Sequence, residues 1–385
     1  MSTVEQRIQL SLAFPVSFTR AALAADNPVL ADAIRRLEPD RRHRVAVVVD
    51  DGAAAAWPGL ERMVHAYAEV HGFELVGMRL VAGGEAAKSG LARVEELHAG
   101  MLAAHLDRQS ILLAIGGGAV LDMAGFAAAT FHRGVRLVRM PTTVLAQNDA
   151  AMGVKNGVNG AGIKNLIGCF AVPFAVVADF DFLSTLDPRD RRAGLAEAVK
   201  VAAIRDTVFF RWLDGHAPAL AAFEDRATEA MIRRAAELHL EHIATGGDPF
   251  ELGSARPLDF GHWSAHKLES LTAHRLRHGE AVAIGMAVDS LYAAEAGLLA
   301  AGDAEAVVGL LHRLGFALWD EALDRRAPDG GRAVLAGLEE FREHLGGRLT
   351  IAMLAGIGHA VDVTSVDLAA MERALAALKR RAAAP

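Results

Sequence analysis

Ile111-Leu-Leu-Ala-Ile115 runs directly into Gly116-Gly-Gly118 and then Ala119-Val-Leu-Asp122-Met-Ala-Gly125, and this stretch decides the fold. A short apolar run bounded by glycine reads as a buried strand, and the residues after it carry helical spacing. Strand, glycine turn and helix together form the unit of parallel nucleotide-binding sheets. Glycine lets the backbone approach a pyrophosphate, and the helix N-terminus offers unpaired N–H groups. Tight strand–helix turns also use glycine without binding anything, but Gly125, further along the helix, favours the nucleotide reading through close packing. The spacing departs from G-x-G-x-x-G, so the standard dinucleotide fingerprint is absent. Asp50 closes an earlier strand, where an acid either accepts ribose hydroxyls or caps a helix.

Outward from this unit, further β-rich runs are Arg44 to Val49, Leu75 to Val81, Arg136 to Met140 and Phe174 to Ala178, with helical patterns at Leu91 to Leu106 and Ala119 to Phe131. Strands alternating with helices predict a parallel sheet with helical crossovers. The apolar stretch Ile8 to Val16 reads as an opening strand rather than a signal peptide. After Leu186 the β signal fades, and Asp187-Pro188 marks the switch, since proline suits a turn or a first helical position. Helical patterns then follow at Arg192 to Ala203, Ala227 to Ala244, Glu280 to Glu295 and Ala304 to Leu314, with a short strand near Leu349 to Met353 and an Ala-rich tail helix from Arg373. The expected organisation is an α/β nucleotide-binding domain over 1–186 and a mostly helical domain over 187–385.

The chain has 385 residues, and 52% are hydrophobic against 23% charged, so each domain can bury a core. The net charge of -7 argues against a dedicated nucleic-acid binder. One cysteine, Cys169, excludes an intramolecular disulfide framework and a multi-cysteine zinc site. No apolar run reaches the ~18 residues of a membrane span, so the expectation is a cytoplasmic protein without a membrane partner.

Two biases stand out. Only six of the 40 basic residues are lysine: Lys88, Lys155, Lys164, Lys200, Lys267 and Lys379. A lysine kept against that bias suggests a need for a compact ammonium. Of five asparagines, four (Asn148, Asn156, Asn159, Asn165) fall in one window with Lys155 and Lys164. Asn and Gly suit turns, but turn chemistry does not explain the lysines. Further on, Glu197 and Lys200 lie at i and i+3 on one predicted helix face, His262 and His266 at i and i+4 on another, and His278 opens a third helix. One carboxylate and two imidazoles with an open position suit catalytic Zn²⁺. The i, i+4 histidines look like the natural ligand pair, while histidines also serve as surface or core groups, and spacing leaves the choice open.

Taken in order, these segments resemble the dehydroquinate synthase-like family, the sugar phosphate cyclases. The motifs are Gly84-Glu85-Ala-Ala-Lys88, Gly116-Gly-Gly-Ala-Val-Leu-Asp122, Arg133-Gly134, Pro141-Thr142-Thr143-Val-Leu145, Asp149-Ala-Ala-Met-Gly-Val-Lys155, Lys164-Asn165-Leu-Ile-Gly168, Glu197-Ala-Val-Lys200, Phe260-Gly261-His262 and Arg277-His278-Gly279-Glu280. Four of the six lysines fall inside them. The resemblance implies NAD⁺ held by Asp50, Glu85, Lys88, Gly117, Gly118, Asp122, Thr142, Thr143 and Leu145, with Phe182, Thr185 and Leu186 on the adenine side. It implies Zn²⁺, with Co²⁺ as an alternative ion, on Glu197, His262 and His278, which makes His266 a substrate-site residue. Lys155, Asn165 and His266 would hold the substrate phosphate, with Arg133 from the other subunit of a homodimer. Asp149, Lys164 and Lys200 would line the substrate hydroxyls. The implied reaction oxidises a secondary alcohol transiently, eliminates phosphate, returns the hydride and closes a carbocycle by an aldol step.

The chain also departs from dehydroquinate synthases proper. They carry an Asn three residues before the first metal His and an Arg four residues before that Asn, with a Lys further upstream; the Arg and Lys grip the substrate carboxylate. Here these positions read Asp259 and Ala255, with Arg256 adjacent, and Glu237 to His242 contains no lysine. A carboxylate needs a cationic, preferably bidentate partner. The spelling Pro257-Leu-Asp-Phe-Gly-His262 looks more like the branch that cyclises sedoheptulose 7-phosphate, although His266 is retained, which the best-known members of that branch lack. The expected substrate is therefore sedoheptulose 7-phosphate or another carboxylate-free sugar phosphate. The alternatives are 3-dehydroquinate synthase itself, an NAD-dependent metal polyol dehydrogenase, which needs no Lys155, Lys164 and Lys200 set, and a non-enzymatic nucleotide-binding scaffold, against which the intact Glu197, His262 and His278 set argues.

Overall fold

The computed structural model describes all residues except 1, 2, 9, 162, 254–256, 345, 346, 384 and 385. The chain divides into two compact units, one formed by 1–141 with 154–179 and the other by 142–153 with 180–385.

In the first unit the apolar runs form strands β1 (Val16–Thr19), β2 (Arg44–Asp50), β3 (Glu74–Val81), β4 (Ile111–Gly116) and β5 (Arg136–Pro141), followed by the hairpin β6 (Lys155–Gly160) and β7 (Ile163–Phe170) and by β8 (Ala175–Asp179). Six of them make one sheet in the order β1-β8-β5-β4-β2-β3, with every pairing parallel. Continuous Val, Ile and Leu runs fit such a sheet because helices cover both faces. β4 and β8 are buried along their whole length. The chain leaves β2 for β3 on one side and β4 for β5 on the other, so the carboxyl ends of β2 and β4 flank the switch point, where open parallel sheets take ligands.

The opening strand is shorter than the apolar stretch Ile8 to Val16 predicts. β1 begins at Val16, and Ile8, Leu10 and Leu12 are exposed. Pairing decides this: Val16 to Thr19 lie in register with Val176 to Asp179, and before them the contact with this strand continues only to the Pro15 carbonyl among the described residues.

The Asn-rich window forms the antiparallel hairpin β6–β7. Asn156 docks it. Its Oδ1 accepts from the guanidinium of the fully buried Arg139 on β5 at 2.6 Å, and its Nδ2 donates to the Val154 and Ala171 carbonyls at 3.2 and 3.1 Å. Burial lowers the Arg139 pKa to about 10 despite the Asp122 charge. Gly125, on the helix Gly118–Thr130 that follows β4, makes room for this amide, because a Cβ there would lie 1.8 Å from Asn156 Oδ1. We therefore expect Gly125→Ala to push Asn156 off Arg139 and to cost about 2–4 kcal/mol in urea unfolding, through overpacking and a guanidinium left short of its acceptor. A change within about 0.5 kcal/mol, the range of a neutral surface substitution, would contradict this account of the hairpin.

The second unit is built on two long helices, Pro188–Arg205 and His278–Glu295. Asp187 caps the first through the Arg189 amide at 2.8 Å with Pro188 in the first turn, which is why the β pattern stops there. The second helix buries 14 of its 18 residues, so it is central and apolar on every side. Arg189 joins the two by a bidentate pair with Glu280 at 2.5 and 2.6 Å. The helices Asp225–Thr245 and His262–Leu271, the hairpin β9 (Ile351–Gly356) with β10 (His359–Val363), and the tail helix Leu368–Ala382 complete the unit. None of the described helices is long and apolar enough to cross a membrane.

Candidate functional site

In the first unit the glycine turn does what its sequence allows. Gly117 is extended at the start of the helix Gly118–Thr130, and no side chain caps that helix, so its first amides remain for an anion. Asp50 caps the helix Asp51–Ala56 through the Gly52 and Ala53 amides at 2.9 and 3.3 Å. Lys88 is buried, and its ammonium bonds Asp122 at 2.7 Å and the Asn165 side-chain oxygen. Asn159 Oδ1 accepts from the Asn165 amide at 2.9 Å, and its Nδ2 donates to Glu85 at 2.6 Å, with Lys164 4.0 Å from the other Glu85 oxygen. Asp122, Lys88, Asn165, Asn159, Glu85 and Lys164 thus form one polar net. Lys155 is exposed at the start of β6, and Arg133 is exposed in a left-handed turn with His132 and Gly134.

In the second unit Thr142, Thr143 and Leu145 precede one short helical segment, Ala146–Ala150, with Thr143 Oγ1 accepting the Ala146 amide at 3.1 Å. Asn148 fastens this segment to the helix Pro188–Arg205 through the Gly194 carbonyl at 2.7 Å, which fixes Asp149 beside Lys200. Phe182 and Thr185 share a 3₁₀ turn, and Leu186 follows it.

Glu197, His262 and His278 bring one ligand atom each to within 4.8 Å of one another. Gly279 makes that possible, because a Cβ there would lie 2.0 Å from the Ala193 carbonyl, so the helix bearing His278 packs directly on the helix bearing Glu197. Both imidazoles are oriented from behind. His262 Nδ1 is 3.1 Å from the Phe260 carbonyl, and His278 Nδ1 is 3.1 Å from Glu269 Oε2. Acceptors at Nδ1 place the hydrogen there and leave the Nε2 lone pairs for a ligand. His278 Nε2 lies 3.5 Å from Glu197 Oε1. Burial, assisted by Lys200, lowers the His262 pKa to about 3, so that ring is neutral. Glu197 is buried with Lys200 Nζ 2.5 Å from Oε2, yet neither oxygen accepts a well-directed hydrogen bond among the described residues. A buried carboxylate short of donors beside two imidazoles, each with Nδ1 turned to an acceptor, fits a divalent ion such as zinc.

His262 and His266 are neighbours with ring centroids 5.5 Å apart, but no three-ligand set among the described residues contains both. His266 joins Glu269 and His278 in a second close set.

Lys200 is the electrostatic centre. Burial alone would lower its pKa, but Asp149, Glu197 and then Asp259 hold it above the ordinary lysine range. Burial alone would raise Asp149, but Lys200 and His239 hold that carboxyl well below the usual range. Ala255 and Arg256 lie outside the described residues.

Three residues here escaped the sequence reading. Glu269 orients His278; its signal is a place three residues after His266 on the same helix. Asp289 accepts the Gly261 amide at 3.0 Å and the Trp263 indole at 2.8 Å, bracing the turn that presents His262; burial raises its pKa to about 7. His239 bonds Asp149 at 2.8 Å.

Profiles of the 3-dehydroquinate synthase N-terminal and C-terminal domains match residues 78–193 and 194–328. The 3-dehydroquinate synthase of Xanthomonas oryzae pv. oryzae (strain PXO99A) is 38% identical over 315 residues, covering 78% of this chain and 81% of that protein. Among solved structures, ValA, the 2-epi-5-epi-valiolone synthase of Streptomyces hygroscopicus subsp. jinggangensis 5008 with NAD⁺ and Zn²⁺ bound, superposes with a TM-score of 0.87 at 30% identity, covering 98% of this chain and all of that one at 100%. A 2-deoxy-scyllo-inosose synthase complexed with carbaglucose-6-phosphate, NAD⁺ and Co²⁺ superposes with a TM-score of 0.76 at 25% identity, covering 94% of this chain and 96% of that one.

Proposed function

The chain belongs to the 3-dehydroquinate synthase family of sugar phosphate cyclases, and from that membership we propose that it cyclises a carboxylate-free sugar phosphate such as sedoheptulose 7-phosphate, using NAD⁺ and a divalent metal. When bound, these two supply hydride exchange and Lewis acidity at a substrate alcohol. Glu197, His262 and His278 hold the ion. The glycine turn Gly116 to Gly118 takes the pyrophosphate, and Asp50, Glu85, Lys88, Asp122, Thr142, Thr143, Leu145, Phe182, Thr185 and Leu186 are the further cofactor residues. Lys155, Asn165 and His266 receive the substrate phosphate, joined by Arg133 of a second copy in a homodimer. Ammonium and amide groups neutralise phosphate without introducing a strong base, so the departing phosphate itself can take the proton. Lys200, Asp149 and Lys164 orient the hydroxyls.

The observation that carries the substrate reading is the charge around Lys200. Three carboxylates, Asp149, Glu197 and Asp259, already draw on one ammonium. A substrate carboxylate would be a further negative group there, whereas hydroxyls can donate to those acids. The competing reading, 3-dehydroquinate synthase itself, draws on the names of its curated relatives.

Internal recycling of the cofactor distinguishes a cyclase from a polyol dehydrogenase. Protein loaded with zinc and NAD⁺ and given sedoheptulose 7-phosphate is expected to release inorganic phosphate with no net rise in NADH absorbance. NADH accumulating in proportion to substrate consumed would overturn the cyclase reading.

A further inference from the structure

The stretch Glu237 to His242 lacks the lysine that dehydroquinate synthases carry, but the structure gives it another polar group at the site. His239, on the helix Asp225–Thr245, points its Nδ1 at Asp149 Oδ1, 2.8 Å away. The same oxygen lies 3.7 Å from Lys200 Nζ, which in turn is 2.5 Å from Glu197 Oε2. His239 therefore ends a continuous chain of contacts that starts at a proposed metal ligand. Its side chain is 12% exposed, and Nε2 is neither bonded to a described residue nor sealed from solvent. A carboxylate behind Nδ1 fixes the tautomer, the ring plane and the direction of Nε2.

We propose that His239 is a specificity-determining residue, presenting Nε2 to a substrate hydroxyl at the place where a carboxylate-handling relative needs a cation. The proposal rests on the cyclase reading above and sharpens it. With its hydrogen held at Nδ1 by Asp149, the ring offers a lone pair at Nε2. A hydroxyl can donate to that lone pair. A carboxylate is acceptor-only, so it meets a lone pair with a lone pair and has the Asp149 charge directly behind. A lysine ammonium would invert this preference, because it donates in every direction and carries charge. The ring thus selects a polyol end over an acid end without excluding either by size.

The test uses zinc- and NAD⁺-loaded wild type, His239→Ala, His239→Gln and His239→Lys, with phosphate release measured on sedoheptulose 7-phosphate and on the heptulosonate phosphate used by 3-dehydroquinate synthase. His239→Ala is expected to lower kcat/KM on sedoheptulose 7-phosphate by about thirtyfold and on the acid by less than about threefold, the range for losing a buried hydrogen bond. His239→Gln, which keeps a side-chain acceptor, should restore most of the loss. His239→Lys should raise the acid-to-polyol ratio by about tenfold or more. Unchanged ratios in both His239→Ala and His239→Lys, at wild-type zinc content and melting temperature, would overturn the assignment. If the alanine variant does not fold, the glutamine and lysine variants decide. If wild type releases phosphate from neither sugar, the cyclase reading falls by itself. Calorimetric Kd values for the two sugar phosphates on wild type and His239→Lys then test the residue, and an unmoved ratio overturns it.

Discussion

His278→Ala is expected to yield folded protein that retains less than roughly a tenth of the wild-type zinc and has no measurable phosphate release. The imidazole lost is the one whose Nε2 lies 3.5 Å from Glu197 and whose Nδ1 rests on Glu269. Without it, two ligands remain, and a structural or catalytic zinc site needs at least three from the protein. Loss of an orienting partner alone costs about 10–100-fold in metal affinity, so loss of the ligand itself must cost more. Glu269→Gln supplies the graded comparison: it keeps an acceptor for Nδ1 but removes the charge, and its zinc affinity should fall by about tenfold or more. Lys200 would still partly neutralise Glu197 in either variant, which is why the fold should survive. Full zinc occupancy together with full activity in His278→Ala would sink the ligand assignment.

The proposed ligand set was approachable in sequence through spacing, and spacing alone paired His262 with His266, whereas the structure groups His262 with Glu197 and His278. His262 and His266 sit one turn apart on one helix, a relation that any i, i+4 pair shows. What gives them different neighbours is the packing of a different helix, through Gly279 against Ala193, which no local pattern announces. Asp289 illustrates the same limit, because its partners Gly261 and Trp263 are 28 and 26 residues away in the chain.

For the fold, the buried parallel strands were legible because their Val, Ile and Leu runs are local and bounded by breakers. The hairpin β6–β7 was not. Lys155-Asn-Gly-Val-Asn-Gly160 is poor in strand formers, and the pairing is held by Asn156 reaching Arg139 and by Asn159 bonding Glu85 and the Asn165 amide. The asparagine cluster is therefore largely architectural: Asn148 fastens a segment, Asn156 docks the hairpin, and Asn159 bridges within it. Asn165 instead accepts from buried Lys88, within the polar net around Asp122. The opening strand failed for the opposite reason, since Ile8, Leu10 and Leu12 are apolar yet exposed, and among the described residues the strand register starts only at Val16.

The charge around Lys200 carries the second large expectation, that kcat/KM on sedoheptulose 7-phosphate exceeds that on the heptulosonate phosphate by about a hundredfold or more. Asp259 stands where a dehydroquinate synthase has an asparagine, and its charge reaches both Lys200 and His262. Placing a substrate carboxylate beside it combines desolvation with like-charge repulsion, a cost of several kcal/mol for an unpaired acid. About 3 kcal/mol of this, felt in the transition state, already exceeds a hundredfold in rate. A hydroxymethyl ketone end has no charge to desolvate and can donate to Asp259 instead. Asp259→Asn removes the repulsion while keeping an acceptor, so it should narrow the preference by about tenfold, chiefly by raising the rate on the acid substrate. If wild type instead prefers the heptulosonate, or if Asp259→Asn leaves the ratio where it was, the acidic wall around Lys200 does not choose the substrate and the enzyme is a dehydroquinate synthase that grips its carboxylate by other groups.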